Sequence, residues 1–69
     1  MDLVYSSHAK KRIRERGIEE CEIEHIIKYP SYIKRRNDGK IEANAKIKNR
    51  FLKVVYIRLQ KYIKVITLF

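Results

Sequence analysis

The stretch Tyr5-Ser6-Ser7-His8-Ala9-Lys10-Lys11-Arg12-Ile13-Arg14-Glu15-Arg16-Gly17-Ile18 decides the reading of this chain. Ser6 or Ser7 can cap a helix whose orphan N–H groups need an oxygen acceptor, and Gly17 can take the left-handed position that closes it about ten residues later. Ala9, Ile13 and the stem of Arg16 point one way on the helix, with His8, Lys11, Arg12 and Glu15 beside them. The apolar stripe is thin and its border is crowded with cations. Leu3 to Tyr5, just before it, can form a short strand.

A second helix follows almost at once. Ile18 and Ile23 stand at the spacing of a hydrophobic staple, and Glu19, Glu20 and Glu22 suit the positive end of the helix dipole. Tyr29-Pro30 ends it, because the residue before a proline is pushed out of helical geometry. Ile23, Ile26 and Ile27 define its buried face. Cys21 reads as a partly buried small side chain, and with His25 it supplies only half of a metal site. No metal or other cofactor is expected.

Beyond Tyr32 the hydrophobic period changes from helical to two. Tyr32 to Arg36 and Lys40 to Lys48 flank Asn37-Asp38-Gly39, a turn with glycine at its left-handed position. Ile41, Ala43, Ala45 and Ile47 alternate with polar residues, so this strand has one wet face. Phe51 to Leu59 and Tyr62 to Phe69 are the most apolar strands, joined around Gln60-Lys61. Pairing Ile57 with Ile63 and Val55 with Val65 turns those four toward the helices. It leaves Tyr56, Arg58, Tyr62 and Lys64, with Val54 and Ile66, on the opposite face. The expected fold is α+β: two N-terminal helices packed on one face of a four-stranded antiparallel sheet, with residues 1–69 as a single domain.

Charge narrows the partner class. The 69 residues carry 17 Lys and Arg against 8 Asp and Glu, a net charge of +9. Residues 1–17 contribute +3, residues 18–30 contribute −3 and residues 31–69 contribute +9. No linker or repeat divides these segments, so the asymmetry belongs to faces of one domain. A polyanion such as nucleic acid is the natural partner, through counterion release. The single cysteine excludes an intramolecular disulfide, and no apolar run has the length of a membrane span. A cytoplasmic protein without membrane contact is expected. Abundant Lys, Glu and Ile is compatible with a thermophilic source. Apolar residues on both faces of the last two strands point to dimerisation.

The pattern Ser6-x-His8-Ala9-x-x-Arg12-Ile13-x-x-Arg16-Gly17-Ile18, followed by Ile23, Ile26-Ile27, Pro30 and strands containing Val54-Val55-Tyr56 and Val65-Ile66-Thr67, resembles the domain of unknown function family 4258. That family in turn resembles, more distantly, the RelE/ParE superfamily of toxins. The resemblance implies a metal-independent endoribonuclease of a toxin–antitoxin system that cuts messenger RNA, commonly on the ribosome, and is held in check by an acidic antitoxin. His8 is then the candidate acid or base, since an imidazole titrates near neutrality, and Arg12 the phosphate clamp. Lys46, Arg50, Tyr56, Arg58, Tyr62 and Lys64 are the candidate RNA contacts, aromatic and basic side chains together making a stacking platform. Two other readings explain the charge: a non-catalytic RNA- or DNA-binding module, and a basic domain that docks an acidic protein.

Overall fold

The computed structural model describes residues 2–69. Its first helix, α1 (Ser7–Arg16), starts where Ser6 Oγ accepts the Ala9 N–H at 3.0 Å. The same hydroxyl donates to the Ile66 carbonyl at 2.6 Å, so one side chain both caps the helix and ties it to a strand sixty residues away. Gly17 closes α1 at φ 62°, ψ 40°, with the Ile18 N–H donating to the Ile13 carbonyl at 3.1 Å. An L side chain is strained in that conformation, which is why glycine stands there.

Helix α2 (Glu20–Lys28) begins three residues after Gly17. Glu19 caps it, and the Glu22 carboxylate reaches back to accept the Glu19 N–H at 2.9 Å, half of a capping box. Ile18 and Ile23 are both buried in the staple positions. The helix ends at Tyr29 before Pro30.

Five strands make one sheet: β1 (Leu3–Tyr5), β2 (Tyr32–Arg35), β3 (Ile41–Ile47), β4 (Arg50–Arg58) and β5 (Ile63–Leu68), in the order β1-β5-β4-β3-β2. The expected α+β class holds, with both helices against one face of the sheet. The sheet, however, has five strands and is mixed rather than four-stranded and antiparallel, because β1 runs parallel to β5. Leu3 pairs with Ile63 and Tyr5 with Val65. Without β1 the apolar β5 would lie open at the sheet edge, and residues 2–6 cover it.

The last hairpin also departs from the expected register. Ile57 pairs with Lys64 and Arg58 with Ile63, while Val55 pairs with Thr67, and a bulge between Val55 and Tyr56 separates the two runs. The extra residue on β5 shifts its alternation, so that Ile63, Val65 and Leu68 all face the helices. Tyr56 and Val54 turn inward with them, and Ile57 turns out beside Lys64. Lysine therefore stays out of the core although it lies opposite isoleucine.

The core lies between the helices and this inner face, with Ala9, Ile18, Ile23, Ile26 and Ile27 packed on Ala43, Leu52, Val54, Tyr56 and Val65. Ala43 and Ala45 face the helices from β3, small enough to let α2 approach closely. Among the described residues no helix is long and apolar enough to cross a membrane.

Candidate nucleic-acid interface

With the helices on one side, the other face of the sheet carries every second residue of β2, β3 and β4. Register places them in rows. Tyr32, Asn44 and Lys53 lie directly opposite one another on β2, β3 and β4. Phe69 extends the row on the β5 side, since it exchanges both backbone hydrogen bonds with Lys53 at 2.8 and 3.1 Å. In the neighbouring row Lys46 faces Phe51.

Three aromatic rings on this outer face are exposed: Phe51 by 79 %, Tyr32 by 63 % and Phe69 by 48 %. Each of the two phenylalanines has cations beside it. The Lys46 ammonium is 5.8 Å from the Phe51 centroid, and the Phe69 ring has Arg12 at 5.8 Å and Lys53 at 6.0 Å. These distances fall within the range of cation–π attraction. Tyr32, Asn44, Phe51, Lys53 and Phe69 line a shallow groove of about 350 Å³.

Arg12 brings α1 into this surface. It projects from the border of the helix toward the end of β5, and His8 lies one turn earlier on the same helix, exposed in the first turn. Arg12 thus stands at the margin of the aromatic face.

The expected RNA contacts divide into separate groups. Lys46 stands beside Phe51 on the aromatic face. Lys64 is exposed on the outer face at the opposite end, near Arg58 and Tyr62, which line a smaller cavity of about 170 Å³ with Asp2 and Lys61 around the β4–β5 connection. Tyr56 requires correction: it is 2 % exposed and sits in the helix-side core, so it offers no ring face to a ligand. The regular alternation of β4 puts it there, on the same face as Leu52 and Val54. Phe51, Phe69 and Tyr32 are the exposed aromatic residues of the outer face instead, and for Phe51 the alternation Phe51, Lys53, Val55 along β4 was the signal in the sequence.

Arg50 has a structural role in the free protein. Its guanidinium lies 3.6 Å from Glu22 Oε1 and donates to the Arg16 carbonyl at 3.1 Å, so it joins the end of α1, the start of α2 and β4. Glu22 is 6 % exposed and meets Lys48 at 4.0 Å on its other oxygen. A buried carboxylate is stabilised by such partners, and here they come from the β3–β4 hairpin. Lys48 and Asn49 form the tip of that hairpin, both at positive φ, the geometry of a type I′ turn.

Cys21 is exposed rather than partly buried, since α2 turns it away from the sheet. Its thiol donates to a Glu19 carboxylate oxygen at 3.4 Å, and that hydrogen bond, with the surrounding carboxylates, raises its pKa and makes the thiolate scarce. The His25 ring packs on Tyr29 with centroids 5.3 Å apart. Among the described residues no group of three His, Cys, Asp or Glu side chains gathers where it could hold a metal. At the β2–β3 turn the Lys40 N–H donates to Asp38 at 3.1 Å, which lowers the Asp38 pKa and orders the loop.

A family model, Domain of unknown function (DUF4258), matches residues 5–69. The chain belongs to this family. The match runs from Tyr5 to the last residue and so takes in the Ser6-capped helix, the staple and the strands that carry the aromatic face of the DUF4258 domain. No curated protein and no solved structure matches the chain.

Proposed function

We propose that this DUF4258 domain binds single-stranded RNA across the outer face of its sheet. The observation that carries the reading is the set of three exposed aromatic rings on one sheet face, two of them with cations at cation–π distance. Exposed rings give unpaired bases a surface to stack on, and the neighbouring ammonium and guanidinium groups meet the phosphates. A duplex hides its base faces and would gain nothing from the rings. The net charge of +9 supplies the sequence-independent attraction.

Binding should therefore weaken steeply as salt rises, and Phe51→Ala should weaken it at every salt concentration. Fluorescence anisotropy with a labelled single-stranded RNA tests both. Salt-independent affinity, or a Phe51→Ala variant that binds like the wild type, would remove the reading.

The position of His8 and Arg12 favours a second activity on the same surface, that of a toxin-like, metal-independent endoribonuclease. A nucleotide stacked on Phe69 brings its phosphate to Arg12, which can stabilise the charge of the phosphorane-like transition state. His8, one turn away, takes the proton of the attacking ribose 2′-hydroxyl or gives one to the departing 5′-oxygen. The P–O5′ bond breaks as the 2′-oxygen bonds to phosphorus, leaving a 2′,3′-cyclic phosphate and a 5′-hydroxyl. A distant resemblance of the sequence pattern to RelE/ParE toxins would imply the same chemistry. End mapping of messenger RNA in cell-free translation, with wild type and His8→Ala, decides it: new ends that vanish in the variant support the role of His8, and intact RNA leaves binding alone.

A further inference from the structure

Asparagine is disfavoured inside strands, yet Asn44 occupies the middle of β3, hydrogen-bonded between β2 and β4 and flanked by the core residues Ala43 and Ala45. Its own side chain faces the other way, into the groove walled by Tyr32, Phe51 and Phe69. Among the side-chain hydrogen bonds of the described residues its carboxamide takes part in none. The backbone around it is occupied: its carbonyl accepts the Ser31 N–H at 2.7 Å. The carboxamide is thus a donor–acceptor pair held on a rigid strand, with aromatic rings around it and a lysine next to it.

We propose that the groove holds one unpaired nucleobase and that Asn44 reads the edge of that base, with adenine preferred. This inference rests on the RNA-binding reading above and adds base selectivity to it. The groove, at about 350 Å³, lies at the lower end of the range for small-ligand sites and suits one base rather than a folded partner. Adenine presents an exocyclic N–H donor beside a ring-nitrogen acceptor, the complement of a carboxamide, and a fixed asparagine is its usual reader. Phe51 or Phe69 supplies the stacking surface, and Lys53, beside Asn44 in the row, meets the phosphate. Lys53 also lies 3.6 Å from Glu42, which holds the ammonium in place on the sheet.

The test uses labelled oligouridines, unmodified or carrying one adenine, cytosine or guanine, titrated against wild type, Asn44→Ala and Asn44→Asp. Wild type should bind the adenine-bearing oligomer about tenfold more tightly than plain oligouridine. Asn44→Ala should bind all four alike, and a far-UV circular dichroism spectrum and urea midpoint matching wild type show that it has folded. Asn44→Asp, an acceptor without a donor, should lose the adenine preference in favour of the cytosine amine. Equal binding of all oligomers by wild type, or an adenine preference that survives in Asn44→Ala, overturns the role of Asn44 while leaving RNA binding intact. If wild type binds none of them, the RNA reading itself fails and takes this inference with it.

Discussion

Phe51 and Tyr56 stand on the same strand and have exchanged the places that hydrophobicity alone would give them. The phenylalanine, with no polar atom, is 79 % exposed, whereas the tyrosine, with a hydroxyl to satisfy, is 2 % exposed. Folding accounts for the second: Tyr56 is the largest fully buried side chain and fills the space under the helices. Folding does not account for the first, because an exposed ring contributes little to stability. A ring kept in water beside Lys46, on a face that also carries Phe69 and Tyr32, is what the proposed RNA contact accounts for. On the proposed reading, the inner face of the sheet serves stability and the outer face serves recognition.

The largest expected effect tests the inner half of that contrast. Tyr56→Ala should cost about 3 to 5 kcal/mol, enough to unfold much of a domain this small, as read by urea denaturation. Phe51→Ala should leave stability within about 0.5 kcal/mol of wild type. A Phe51→Ala loss as large as that of Tyr56→Ala would erase the distinction between the faces.

Acidic residues of α2 repeat the contrast in charge. Glu22, buried and met by Arg50, Lys48 and the Glu19 N–H, should cost about 1.5 to 3 kcal/mol when changed to Ala. Glu24 pairs at 3.2 Å with Lys28, both about half exposed, and Glu24→Ala should move stability by no more than about 0.5 kcal/mol. Equal unfolding midpoints for the two variants would show that Glu22 does not anchor the hairpin.

On the outer face the readout is affinity. Phe51→Ala should weaken single-stranded RNA binding about tenfold, the value of one stacked base. The same substitution at Leu59, exposed but outside the aromatic groove, should leave affinity unchanged, and a matching loss there would mean that the rings have no special role.

The smallest effect is a pH dependence on the inner side. Burial of the Tyr5 phenol, reinforced by the nearby Glu20 and Glu24 carboxylates, pushes its pKa up to about 12. The folded state therefore holds this proton more tightly than the unfolded chain, whose phenols titrate near 10. That contribution is complete below about pH 10 and fades as the pH rises toward 12. Tyr5→Phe removes the titration, so its stability should fall less across that interval than that of wild type. Parallel alkaline unfolding curves would show that Tyr5 is not the group responsible.

Local chemistry was legible along the chain. The Ser6 cap, the Gly17 stop, the Ile18–Ile23 staple, the end at Tyr29-Pro30 and the Asn37-Asp38-Gly39 turn each depend on residues within a few positions of one another, and each is found where the sequence places it. The lysine and arginine excess and the proximity of Arg12 to His8 are equally local, because one helical turn separates them.

What the sequence by itself determined, then, was the helices, the hairpin turn and the basic character of the molecule. Tertiary structure decided which faces the last strands present and how many strands the sheet contains. β4 and β5 are apolar on both sides, so alternation alone could not choose their inward set. Packing against the helices chose Leu52, Val54 and Tyr56 on β4 and left Ile57 outside, and the extra residue of β5 at the bulge lets Ile63, Val65 and Leu68 share that inner face. The place of β1 beside β5, and of Arg12 beside Phe69, joins residues more than fifty positions apart. Contacts of that range depend on how helices and strands pack together, which no short window of sequence encodes.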